Sequence, residues 1–438
     1  MRSMRPLRLL PVAALVVTFL STGASRSVSA VVDLPSRLTD QEFWQLSQDS
    51  SEPDGTFSSD NLLSNEVVFG RLVPQLEAQA KPGGVYLGVG PEQNFTYIAA
   101  MKPRMAFITD IRRGNLHVQL MYKALFELSK DRAEFVSRLF TKPRPVGLTS
   151  SSTVLEIMNA YWDAFSAEEA AFTANLKAVQ THLTTTHHIP LSQADLDGVA
   201  KVYRAFYWYG PGITWSARTD LSGIARPGTG TGSYWAMMTQ TDGSGQPLSY
   251  LVSEEKFAVL KDLESRNLIV PVVGNFSGPK ALRAVGTYVR DRGATVSAFY
   301  LSNVDSYLER EGSWGAFCGN VATFPLDDAS VFIRPSATRR MTATVNSTPN
   351  TTLNGLQFTT IVQQGNGTFT IVQPPGAAVA SRIQILNFTP ANAGVATSSA
   401  TMVPPRSSPP SGPSPANDQM HVAGLVPIKG EVSGCAGK

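Results

Sequence analysis

Two glycines and one acid carry the first chemistry in this sequence. Gly88 and Gly90 stand in "VYLGVGPEQ", and Asp110 closes "AFITD". Glycines at a strand end let backbone N–H groups come close to a ligand, and the helix that follows offers its N-terminus to an anion. An acid at the end of the next strand, roughly 20 residues on, accepts hydrogen bonds from both ribose hydroxyls of a nucleoside. The chemistry implied is recognition of a nucleoside-type cofactor. A competing reading needs no ligand: a tight strand-to-helix turn, and an Asp that caps the next helix.

Other residue types carry competing readings of the same kind. His182, His187 and His188 sit in "QTHLTTTHHIP". They lack a helical i, i+4 pair, and the sequence predicts a solvent-facing Thr-rich loop with no metal. Asp242 in "TQTDGSG" is expected to shape an Asp-Gly turn rather than act as a base. Glu254 and Glu255 follow Ser253 and fit the first turn of a helix. Tyr207, Trp208, Tyr209, Trp215, Tyr234 and Trp235 either stack on a flat ligand or fill a core. There is no G-x-S-x-G elbow and no Walker A sequence, so neither a serine hydrolase nor a P-loop enzyme is supported. Cys318 and Cys435 are too few for a disulfide framework. Cys318 lies in "WGAFCGNVATF", expected as a buried strand, and a free buried thiol is favoured over one bridge.

These residues need elements to position them. Apolar runs at "VYLGV", "AFITD", "LIVPVV", "ATVSAFYLSN" and "SVFIRP" read as strands, with helical patterns between them. Strands alternating with helices imply an α/β fold with a doubly wound, mostly parallel sheet. "GNLHVQLMYKALFELS" puts Leu116, Leu120, Ala124 and Leu128 on one stripe. Thr39 with Glu42, and Ser192 with Asp195, form capping boxes. The predicted organisation is a signal peptide over 1–30, an N-terminal helical segment over 31–82, and a Rossmann-like domain over 83–335. That domain carries a helical insertion over 141–250. A Thr/Asn/Pro-rich tail over 336–438 includes a hairpin around Gly365-Asn366-Gly367 and a disordered stretch over about 395–420.

With "VYLGVGPEQ" as cofactor loop and "AFITD" as second strand, residues 83–335 resemble the class I S-adenosylmethionine-dependent methyltransferase superfamily. The segment "NLIVPVVGNFSGPKALRAVGTYVRDRGATVSAFYLSN" then resembles its fourth strand, helix and fifth strand. The chain is more similar still to uncharacterised exported bacterial proteins with that fold. The resemblance implies S-adenosylmethionine as cofactor, with Gly88 and Gly90 lining its amino-acid moiety and Asp110 holding its ribose. It implies that Asn275 faces the transferring methyl group. Tyr86 stands where that superfamily usually has an acid, and Glu92 where it often has a third glycine.

The opening "MRSMRPLRLLPVAALVVTFLSTGASRSVSA" has basic, apolar and small-residue regions in the order of an export signal. The chain has 37 basic and 34 acidic residues; without the four Arg of that segment the balance is 33 against 34. No basic patch points to nucleic acid, and no later stretch is apolar enough to span a membrane. A small molecule is the expected partner. Two functions follow: a methyltransferase-like enzyme, or an exported, non-catalytic binding protein that kept the fold and lost the cofactor.

Overall fold

The computed structural model describes residues 33–64, 69–79, 83–165, 167–221, 232–242, 244–335, 360–363, 369–372 and 423–435. The expected signal peptide and the Pro/Ser-rich stretch lie outside them. The chain begins with helices α1 (Asp40–Ser50) and α2 (Val73–Gln79). Then come β1 (Val85–Val89), α3 (Gln93–Met101), β2 (Met105–Asp110) and α4 (Arg113–Leu128). The insertion follows as α5 (Arg132–Phe140), α6 (Val154–Asp163), α7 (Glu169–Thr181), α8 (Gln193–Tyr209) and α9 (Tyr234–Thr239). The chain returns through α10 (Glu254–Ser265), β3 (Ile269–Val273), α11 (Ala281–Asp291) and β4 (Val296–Tyr300). After α12 (Val304–Arg310), α13 (Trp314–Val321) and β5 (Val331–Pro335) come a hairpin, β6 (Thr360–Gln363) with β7 (Phe369–Val372), and finally β8 (Ala423–Pro427) and α14 (Ile428–Cys435).

The main sheet has the order β3-β2-β1-β4-β5-β8. Its first five strands are parallel and β8 is antiparallel to β5. The expected doubly wound, mostly parallel sheet is therefore present, as is the helical insertion. Every residue of β1, β2 and β3 is buried, as strands covered on both faces require. Helices α3, α4 and α10 pack together on one face; α1, α11 and α13 form the other layer. The chain steps outward from β1 to β2 to β3, then returns to β4 on the other side of β1. That reversal makes the carboxyl ends of β1 and β4 the switch point, where ligands of such sheets sit.

Both capping boxes are present, Thr39 with Glu42 and Ser192 with Asp195. Three expectations are corrected. "LIVPVV" is the third strand in chain order, at the sheet edge beside β2, and "ATVSAFYLSN" is the fourth, beside β1. No strand lies in the described part of the insertion to make the count higher. "WGAFCGNV" is helix α13, not a strand. Cys318 is disulfide-bonded rather than free. The sheet is also completed from the tail: β8 pairs along β5, and Ile428 just after it is fully buried.

Candidate functional site

The loop after β1 turns at Gly90, whose φ of +73° favours glycine. Gly90 is buried, yet a Cβ built on it meets no atom of the described residues within 4 Å. Space remains beside it. Gly88 is different. A Cβ there falls 1.8 Å from Asn94 Oδ1. Asn94 fills the inside of the turn: its Nδ2 donates to Val89 O at 2.9 Å and Pro91 O at 2.6 Å, and its Oδ1 accepts from Tyr86 OH at 2.9 Å. The missing side chain at Gly88 is thus explained by packing against Asn94. Tyr86 belongs to the same internal network.

Gly88→Ala is expected to cost about 1–3 kcal/mol, the usual penalty of overpacking. Combined with Asn94→Ala it should cost less than the sum of the two single changes, since neighbours couple. Denaturant melts of the four proteins check this. Strict additivity would remove Asn94 as the reason for Gly88.

Asp110 ends β2, one strand from the Gly90 loop, and is 6% exposed. Its Oδ1 accepts from Arg112 N at 2.9 Å and lies 3.4 Å from Arg112 Nε. This is a local turn bond rather than a helix cap: Arg112 is the N-cap of α4 and makes no side-chain cap bond. Among the described residues Oδ2 meets only a long 3.5 Å contact from Arg112 and keeps acceptor capacity. Helix α4 reaches the loop from the same end: Gln119 Nε2 donates to Gly90 O at 3.0 Å.

The expected crevice is not open. Residues 51–64 cross the carboxyl ends of four strands as an irregular strap. At β3, Glu52 N donates to Val273 O at 2.7 Å, and its carboxylate accepts from the backbone of Asn275, Lys280 and Ala281 at 2.8–3.0 Å. At β2, Gly55 N donates to Ile111 O at 2.9 Å and Asp54 accepts from Arg113 N at 2.6 Å. Past β1, Ser64 N donates to Glu92 Oε1 at 3.3 Å, and Ser64 Oγ lies 3.4 Å from Tyr300 OH of β4. Arg112 reaches back to the carbonyl of Asp60 in the strap.

At the start of α3 and along α4 several buried polar atoms have no hydrogen-bond partner among the described residues. They are Gln93 Nε2 and Oε1 at the start of α3, Asn115 Oδ1 and Gln119 Oε1 on α4, Glu92 Oε2 and Tyr122 OH. Such groups cost free energy unless something satisfies them. Burial pushes the Glu92 carboxyl up to about 8, against which the bond from Ser64 N is a small counterweight. It is held neutral at physiological pH.

Asn275 follows the edge strand β3, two strands from β1. Its Oδ1 accepts from Ser277 N and Oγ at 2.9 Å, so it shapes a local turn. An open groove of about 500 Å³ lies elsewhere, between α1 and α11, and includes neither the Gly90 loop nor Asp110.

The family model for a domain of unknown function (DUF7790) matches residues 62–195 and 227–393. The chain belongs to that family. No curated protein matches it. The matched stretches of the DUF7790 domain hold the Gly90 loop, Asp110, Asn275 and most of the insertion.

The remaining sequence candidates are placed as follows in the DUF7790 domain. Asp242 is a turn residue, its Oδ1 accepting from Ser244 N, Ser244 Oγ and Gln246 N. Glu254 and Glu255 open α10. Tyr234 and Trp235 are core, with Tyr234 OH 2.7 Å from Tyr250 OH, whereas Trp208 is 48% exposed. His182 and His187 do not face solvent: both touch Glu127 Oε2, at 2.9 and 2.6 Å. Only His188 is exposed. Sequence reasoning missed Glu127 and the strap, because neither lies in a recognisable motif. No helix among the described residues is long and apolar enough to cross a membrane.

Proposed function

We propose that this protein binds a nucleoside-type cofactor, S-adenosylmethionine, at the Gly90 loop and Asp110, and acts as a methyltransferase-like enzyme. The observation that carries the reading is the set of unpartnered polar atoms on Gln93, Asn115 and Gln119 around a buried, roomy Gly90 at the switch point. Among the described residues these donors and acceptors have no partner, and a polar ligand at the switch point would supply one. The strand order, with an antiparallel last strand, supports the same reading. Gly90 would approach the amino-acid moiety and Asp110 Oδ2 would accept from the ribose. Methyl transfer needs little beyond in-line positioning. The strap must lift for entry, so apparent affinity is reduced by the fraction of molecules that are open.

Calorimetric titration with S-adenosylmethionine and S-adenosylhomocysteine tests the reading. Binding is expected for both. Asp110→Ala should weaken it about ten- to a hundred-fold, the worth of hydrogen bonds to a charged acceptor. The same change should cost on the order of 1 kcal/mol of stability through the lost bond from Arg112 N. A stability loss with unchanged affinity would take Asp110 out of the site, and no binding by the wild type would end the reading.

A second reading, an exported binding protein without catalysis, is favoured by the closed strap and by Tyr86 and Glu92 serving internal contacts. A disulfide at Cys318 suits an oxidising compartment, as export would provide.

A further inference from the structure

The insertion meets the sheet core through a histidine–carboxylate cluster outside the crevice. Helix α7 ends in a π-turn over His182–Thr186, with His187 N donating to His182 O at 3.0 Å. A π-turn bonds i to i+5, so it brings His182 and His187 together, which an α-helix would not do at this spacing. The rings lie edge to face, 4.9 Å apart. Such turns are rare and recur at functional sites. Both Nε2 atoms point at one oxygen, Glu127 Oε2 of α4, and the three ligand atoms lie within 4.8 Å of one another.

The surroundings are those of ligands held for a metal. His187 Nδ1 lies 2.7 Å from Asp40 Oδ1, and Asp40 in turn accepts from Asn267 Nδ2 at 2.8 Å. A carboxylate on the far ring nitrogen fixes the tautomer that frees Nε2 for a cation. Lys123 Nζ holds Glu127 Oε1 at 2.7 Å, which orients the carboxylate and leaves Oε2 to the histidines. The Lys123 charge lowers cation affinity, and Asp40 adds a negative charge against it. The residues are nearly buried, with side chains 9–14% exposed.

We propose that Glu127, His182 and His187 bind one borderline divalent cation of the zinc type, which staples the helical insertion to α4. Two imidazoles and a carboxylate, with water as a fourth ligand, is a set zinc accepts. Bonds of about 2.0–2.1 Å would open the ligand separations to roughly 3.3 Å, a small expansion of the present cluster. The site lies near the far end of α4, about 20 Å along the helix from Arg113 at the usual rise. Its role is therefore structural and independent of the Gly90 loop.

The test uses the full chain, free of any affinity tag and stripped by chelator. Titration with zinc should show one equivalent bound and a rise in Tm. Cobalt should give the visible spectrum of a four-coordinate ion. Zinc uptake should be lost in His182→Gln. Asp40→Asn keeps all three ligands and should weaken zinc about 10- to 100-fold. If His182→Gln fails to fold, the wild-type stoichiometry and the Asp40→Asn affinity decide. No uptake by the wild type overturns the proposal, leaving a histidine–carboxylate ion network. Wild-type affinity in His182→Gln or in Asp40→Asn overturns it as well.

Discussion

Replacing Arg132 by Met is expected to destabilise the protein by about 3–5 kcal/mol, the range for breaking a buried charged network by removing one partner. Arg132 is 2% exposed at the start of α5. Its guanidinium donates to Glu254 Oε1 at 2.9 Å, Leu251 O at 2.7 Å, Ser150 O at 3.0 Å and Ser152 O at 2.9 Å. One side chain thus ties α5 to the loop before α6 and to the first turn of α10. Met keeps the length and the packing but strands three carbonyls, while the partly exposed Glu254 carboxylate keeps the bond from Arg132 N. Lys should recover only part of the loss, because one ammonium cannot reproduce the planar fork. Urea denaturation of wild type, Arg132→Met and Arg132→Lys measures this. A loss below about 1 kcal/mol for Met would mean that water replaces the guanidinium at little cost.

Arg132 also shows where sequence reasoning ends. Nothing in "SKDRAEF" marks its Arg as buried, because its acceptors lie 18 to 122 residues away along the chain. Local signals carried further. Continuous apolar runs gave the buried strands, and Ser/Thr with an acid three residues on gave two capping boxes that the structure contains. "WGAFCGNV" failed because a short apolar run does not separate strand from buried helix. β8 was assigned to the tail because its pairing with β5 joins residues about ninety positions apart. His182 and His187 escape sequence reasoning because their i, i+5 spacing belongs to a π-turn, not to the α-helical period.

The candidate site was legible in the same uneven way. The turn at Gly90 and the acid at Asp110 lie on adjacent parallel strands, where their spacing predicted them. The closing strap is not visible in sequence, since residues 51–64 have no periodicity and bond, by backbone and by the Glu52 and Asp54 carboxylates, to groups far along the chain. Gly88 was assigned to a ligand when its neighbour is Asn94. A glycine in a motif records that a side chain is excluded, and only the fold tells by what.

Glu92 carries the last expected result, a pH-dependent gain from Glu92→Gln. Burial raises its carboxyl from 4.5 in the unfolded chain to about 8 in the fold. The unfolded chain therefore loses this proton first. Stability falls as pH rises from about 4.5 and levels off above about 8, because the native state binds the extra proton between those limits. At neutral pH the cost is on the order of 3 kcal/mol. Gln has the same shape, can still accept from Ser64 N, and never ionises. The variant should match the wild type near pH 5 and exceed it increasingly toward pH 8. Glu264, which burial also raises to about 8, is present in both proteins, so its contribution cancels in the difference. Chemical denaturation of both proteins at several pH values gives the curve. A difference that does not change with pH would show that Glu92 is already ionised in the fold. Ligand can then be added to each. S-adenosylmethionine carries a sulfonium charge that S-adenosylhomocysteine lacks. Held at the Gly90 loop, two residues from Glu92, it favours the ionised carboxylate and should flatten the wild-type pH dependence more than the neutral analogue does.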